Sequence, residues 1–183
     1  MAVGLISCGK AEAPKEITET RTVAPAPESA APAQVPKGEP RHTFTWVTPE
    51  GWVQSPSTAM RLANFTVGPP PQAECYVTVL KGAAGGVEMN INRWRGQMGL
   101  ENEPLNAEAI AKLPKIEVAG REGPLVEIPG NYTSMSGKAE PEYLLLGTIC
   151  DLGSETLFVK MVGPQATVQA QHESFIAFCK SLK

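Results

Sequence analysis

The composition of this chain breaks at residue 41, and that break decides which part of it can fold. Residues 9–40 carry no aromatic side chain and are punctuated by Pro14, Pro25, Pro27, Pro32, Pro36 and Pro40 among Ala, Glu and Thr. Such a stretch buries too little apolar surface to offset its ordering entropy, so it is read as an Ala/Pro-rich disordered linker. Its prolines bias it toward extended polyproline II, and ~30 residues in that form reach roughly 90 Å. From residue 41 onward, apolar residues recur with strand and helix periods. Residues 41–183 are therefore expected to form a single α+β domain, about the size that one hydrophobic core supports.

Within that domain, residues 43–47 alternate with period two and stop at Pro49-Glu50-Gly51, a turn carrying Trp52. Residues 60–67 and 74–80 predict two further strands on either side of the Gly68-Pro69-Pro70-Pro71 loop, giving an antiparallel meander. After the glycine-rich residues 82–86 the period switches: Val87, Ile91, Trp94 and Met98 recur at helical spacing and predict a first helix with Trp94 in the core. A short second helix is expected with Asn106 as its N-cap, Ile110 and Leu113 turned inward and Pro114 as its stop. Strands at 116–119, 125–128, 143–150 and 156–162 follow, the last two joined by a hairpin at 151–155. Gly163-Pro164 leads into one C-terminal helix whose Val168, Phe175, Cys179 and Leu182 share a face. The expected architecture is an antiparallel β-sheet covered by helices.

Most familiar chemistries lack their residues here. The formal net charge of −3, with no basic block, argues against nucleic acid as a partner. Gly-x-Ser-x-Gly is missing, and the two histidines, His42 and His172, stand alone, so no catalytic residue is assigned. With neither Cys-x-x-Cys nor a paired-histidine helix, no metal site and no cofactor are expected. Gly82-Ala83-Ala84-Gly85-Gly86 opens into the first helix as an anion loop would, yet no Gly-Lys-Ser/Thr follows, and it is read as a structural turn. Gly130 to Gly137-Lys138 is spaced too widely for a phosphate loop, and Ala139 stands where a hydroxyl residue would hold magnesium.

The best polar constellation is Asn90, Asn92, Arg93, Arg95 and Gln97 on the first helix. Asn90, Arg93 and Gln97 fall at i, i+3 and i+7, so they share a face that would offer amides and a guanidinium to a carboxylate, phosphate or sugar. Arg61 and Lys81 would extend this patch if the helix packs near their strands. The competing interpretation is a solvated helix face with local hydrogen bonds. Cys75, Cys150 and Cys179 are odd in number and lie in apolar surroundings, where a free cysteine acts as a small hydrophobe; any pairing among them is left open.

Three resemblances add to these readings. Leu5-Ile6-Ser7-Cys8 resembles the lipobox of bacterial lipoproteins, whose cysteine is lipidated. The preceding stretch is short for a signal of about 15–30 residues, so residues 1–8 are expected to be a truncated lipoprotein signal ending at the lipidation site Cys8. Gly9 in place of an inner-membrane Asp implies the periplasmic face of the outer membrane in the bacterial cell envelope. The Pro49-Glu50-Gly51-Trp52 turn, the closing residues 158–164 and the helix ending Phe178-Cys179-Lys180-Ser181-Leu182 resemble the PsbP-like fold, named for an extrinsic photosystem II subunit. The central residues 90–97 resemble bacterial envelope proteins described only as secreted or lipoproteins. Neither of the last two carries a catalytic motif or a ligand set. Together they imply a membrane-tethered envelope lipoprotein that acts as a binding or assembly-accessory module. Its partners would be the membrane, through the N-terminal lipid, and an envelope protein or small ligand. The alternative is a hydrolase acting on an anionic envelope substrate through Arg93 and Arg95.

Overall fold

Leu157-Phe158-Val159-Lys160-Met161-Val162 is apolar at both parities of a strand, which calls for cover on both sheet faces. The computed structural model, which describes residues 43–183 apart from 59, 135 and 136, supplies that cover. Cys8, the linker and His42 lie outside the described residues. The elements are β1 (Trp52–Ser55), β2 (Ala63–Val67), β3 (Ala73–Lys81), α1 (Val87–Gln97), α2 (Ala107–Ala111), β4 (Lys115–Val118), β5 (Arg121–Thr133), β6 (Ala139–Asp151), β7 (Glu155–Pro164), α3 (Gln165–Ala170) and α4 (His172–Ser181). They form an α+β fold around one seven-stranded sheet of order β1-β2-β3-β7-β6-β5-β4, with every neighbouring pair antiparallel.

The two sheet faces are covered unequally. On one, Phe65, Cys75, Val77, Leu146, Val159 and Met161 pack beneath Val168, Phe175, Phe178 and Leu182 of the C-terminal helical segment. Trp52, Phe65 and Phe178 form its aromatic centre, with ring centroids 5.2–5.6 Å apart. On the other, Ile91 and Trp94 of α1, Met98 at its C-cap and Ile110 of α2 cover Val126, Ile128, Leu145, Ile149 and Phe158. β6 and β7 are consequently buried at consecutive positions, whereas β2 and β3 alternate between buried and half-buried residues. The second face is thus roofed over β5 to β7 and half-exposed over β2 and β3.

Small residues make the roof fit. A Cβ at Gly147 would stand 2.6 Å from the Trp94 ring, and one at Gly130 would stand 2.1 Å from the Met98 carbonyl oxygen. That carbonyl accepts a 3.0 Å hydrogen bond from Asn131 N, which ties the end of α1 to β5. α2 begins as its sequence predicts, with Asn106 Oδ1 accepting from Ala109 N at 2.9 Å.

Three expectations need correction. Residues 43–47 are extended but form no sheet strand; Thr45 instead exchanges two backbone hydrogen bonds with Lys183, of 3.0 and 3.1 Å, while Phe44 and Trp46 pack against the core. Their alternation records one buried side, which a lone extended segment satisfies as well as a strand does. β5 is 13 residues long, well beyond 125–128, because its glycines and prolines sit where backbone approach or ladder geometry accepts them, as at Pro129 opposite Leu144. The single C-terminal helix is broken at Gln171, whose φ of −103° and ψ of 8° separate α3 from α4. Its Oε1 accepts a 2.9 Å hydrogen bond from Trp52 Nε1, fixing the break to β1.

Candidate functional site

Strand register places a lysine where the α1 roof ends. Asn64, Tyr76, Lys160, Gly147 and Val126 form one row across β2, β3, β7, β6 and β5. Trp94 rests over Gly147, so Lys160 lies at the margin of the helix and Tyr76 beyond it. Lys160 is only 2% exposed. Its Nζ donates a 2.6 Å hydrogen bond to Gln97 Oε1 and lies 5.4, 5.9 and 6.0 Å from the ring centroids of Tyr132, Tyr76 and Trp94. These are cation–π distances. Among the described residues no carboxylate comes within ion-pairing distance of this ammonium, and Gln97 is its one hydrogen-bond acceptor.

Burial pushes the Lys160 amine down to about 8; Glu74 opposes the shift, while Arg61 and Arg93 add to it through like-charge repulsion. Arg61 is ion-paired to Glu74, donates to Asn64 Oδ1 at 2.8 Å, and holds its guanidinium carbon 3.9 Å above the Tyr76 ring. Burial pushes the Tyr76 phenol up to about 12 and that of Tyr132 upward as well. Tyr132 stacks on Tyr143 with centroids 5.9 Å apart, just past the register irregularity at Gly130/Tyr132. Three cations therefore meet one carboxylate between aromatic walls.

The five polar residues singled out on α1 divide between two tasks. Asn90 is buried and its Nδ2 donates to the carbonyls of Ala84 and Gly86 at 2.8 and 2.7 Å, closing the glycine-rich loop. Asn92 exchanges two 2.8 Å hydrogen bonds with the backbone of Leu105. Arg95 Nε donates to Glu103 O at 2.6 Å, and its Nη2 lies 3.4 Å from Glu103 Oε2. These three brace loops. Gln97 and the exposed Arg93 instead act on Lys160, one by hydrogen bond and one by charge. Arg61 joins this group, whereas Lys81 is exposed at the end of β3.

Lys160, Tyr76, Tyr132 and Glu74 were not singled out by sequence. One signal was present: a lysine inside an otherwise apolar run of a strand that must be covered on both faces. Elsewhere, a depression lined by Thr43, Phe44, Ala119, Arg121, Leu152 and Lys183 combines two exposed cations with no buried polar group. Cys75, Cys150 and Cys179 are free and buried, and burial raises all three thiols. Among the described residues no group of three metal-ligating side chains converges, and no helix is long and apolar enough to cross a membrane.

No family model matches this chain, and no curated protein does. Three solved structures are similar at low identity. A protein from Bacteroides thetaiotaomicron VPI-5482 is 12% identical with a TM-score of 0.44, over 76% of this chain, which spans only 44% of that one. LpqN of Mycobacterium tuberculosis, described as involved in cell envelope biogenesis, is 11% identical with a TM-score of 0.44, over 80% of this chain and 86% of its own. PA94, a Pseudomonas aeruginosa protein of unknown function, is 13% identical with a TM-score of 0.38, over 77% of this chain and 82% of its own.

Proposed function

We propose that this chain is a lipid-anchored accessory module of the bacterial envelope, attached through Cys8, spaced by residues 9–40 and carrying a PsbP-like domain that binds an envelope protein or small ligand. Its place would be the periplasmic face of the outer membrane. The binding surface on this reading is the half-exposed sheet face beside α1, built from Arg61, Glu74, Tyr76, Arg93, Tyr132 and Lys160. The observation that carries it is Lys160: among the described residues, a buried ammonium on a central strand has only a neutral amide as its acceptor, an arrangement that core packing alone disfavours. The lipobox-like residues 5–8 and the proline-punctuated composition of residues 9–40 support a tethered binding role over turnover.

The test is recovery of envelope components by the full chain in its native host, compared with Arg93→Glu and Tyr76→Ala chains of unchanged fold. Loss of a reproducible component from both variants supports this surface; unchanged recovery overturns it. Mass spectrometry of the mature protein checks the anchor, expected as a lipid mass on Cys8. The second reading, a hydrolase for an anionic envelope substrate, is favoured by one feature, the amine of Lys160 poised near neutrality beside Arg93. It requires turnover of an anionic ester that Lys160→Met abolishes.

A further inference from the structure

We infer that the Lys160 cluster is an oxyanion site, where a carboxylate or phosphate group of the ligand takes the place of the counter-ion that the described residues do not provide. The inference rests on the half-exposed face being the binding surface and names the chemistry it receives. An ammonium has three donors, and Lys160 uses one, on Gln97. The two remaining N–H groups have no acceptor among the described residues, although the side chain is 2% exposed. Buried polar hydrogens without partners are uncommon, and an oxyanion satisfies both while adding a charge-assisted bond.

Charge points the same way. Lys160, Arg61 and Arg93 are opposed by Glu74, which is already engaged by Arg61. A group carrying one or two negative charges would neutralise the excess. Trp94, Tyr76 and Tyr132 wall the amine from bulk water, so an ion pair formed there is screened less than one at the surface. The ligand would meet Arg93 and Arg61 first. Access to Lys160 then requires the half-buried Tyr132 ring to swing aside from its place past the β5 irregularity.

Binding at this place is coupled to protonation. The groups facing Lys160 are Glu74 and Tyr76 from β3, Arg61 from the turn before β2, Arg93, Gln97 and Trp94 from α1, and Tyr132 from β5 with Tyr143 of β6 behind it. Tyr76 and Tyr132 are pushed upward and stay neutral where Lys160 titrates. An anion favours the charged amine, so it is bound with proton uptake and released as the amine deprotonates.

The test is calorimetric titration of the full chain with inorganic phosphate and, separately, with benzoate at pH ~7.5 and ~9.5. At least one anion is expected to bind saturably at the lower pH and roughly tenfold more weakly at the higher one, the two probes separating phosphate from carboxylate preference. Lys160→Met is expected to weaken that binding about tenfold, and the exposed Arg93→Ala about threefold, in chains whose circular dichroism is unchanged. No saturable binding of either anion, or undiminished binding by Lys160→Met, overturns the oxyanion assignment. If envelope recovery depends on Arg93 and Tyr76 while neither anion binds, the surface stands and this assignment falls. If both anions bind through Lys160 while recovery ignores the face, the assignment stands and the surface reading falls.

Discussion

Gln97 Oε1 accepts a 2.6 Å hydrogen bond from Lys160 Nζ, joining α1 to the middle of the sheet across 63 residues of sequence. The acceptor is an amide, and a carboxylate at that place would have compensated the buried charge fully. Burial instead lowers the amine from 10.5 to about 8, a bias against the charged form of about 3 kcal/mol. The fold therefore tolerates a destabilising charge at the edge of its α1 roof, behind the rings of Tyr76 and Tyr132.

That cost fixes a pH dependence. The folded amine titrates near 8 and the unfolded one near ~10.4, so between those values the unfolded chain binds more protons and stability rises with pH. Below the folded value both states are charged and the full penalty applies. Lys160→Met is expected to be more stable than the parent near neutrality by about 2 kcal/mol, after allowance for about 1 kcal/mol from the donor that Gln97 loses. Urea denaturation at a series of pH values reads both effects. A flat parental profile, with Lys160→Met no more stable near neutrality, would show that the buried amine is not strained.

Gly147 is the second position where the site depends on close packing. A methyl there would stand 2.6 Å from the Trp94 ring, so Gly147→Ala must push the indole outward and α1 with it. Overpacking of this kind costs about 1–3 kcal/mol. The expected readout is a lowered denaturation midpoint together with loss of the Trp94–Phe158 edge contact, now at 6.4 Å between centroids, seen as a change in near-ultraviolet circular dichroism. Parental stability and spectrum would mean that α1 has slack over the sheet.

Much of this fold was legible because local signals and tertiary demands agree. Val87, Ile91, Trp94 and Met98 mark one helical stripe, Asn106 caps α2, and Asp151 to Glu155 join β6 to β7. Legibility failed where a local pattern has two physical solutions. The alternation at residues 43–47 fits an extended segment against the chain's C-terminus, and two glycines that hid much of β5 sit where neighbouring backbone comes close, Gly123 beside Ile149 and Gly130 beside Met98. On α1, residue types and spacing showed a polar face but not its targets: Asn90 turns to its own loop, and Gln97 to Lys160 on a strand distant in sequence.

Asn92 separates bracing from binding on that helix. It makes two hydrogen bonds to Leu105, so Asn92→Ala leaves one backbone donor and one acceptor of the α1–α2 connection without these partners. A loss of about 1–2 kcal/mol is expected, with faster hydrogen exchange at the Leu105 amide and unchanged anion affinity at the Lys160 cluster. Weaker anion binding at equal stability would instead place Asn92 in the site.

The three cysteines of the domain allow a test of how firmly the opposite face is closed. Cys75 lies on β3, Cys150 on β6 and Cys179 on α4, all buried and free, and burial drives each thiol upward, Cys150 to about 11. A thiolate is the reactive form, so near neutrality these groups are both inaccessible and protonated. In a lipid-free chain carrying Cys8→Ser, a disulfide-exchange reagent is expected to modify none of the three at a rate comparable to a free thiol. All three should react once the chain is unfolded in urea. The native rate should follow the population of open forms, and therefore fall in Lys160→Met if that substitution stabilises the whole domain. Fast native labelling of Cys179 alone would show that α4 detaches from the sheet independently of the rest, and would sink the idea of one cooperative core on that face.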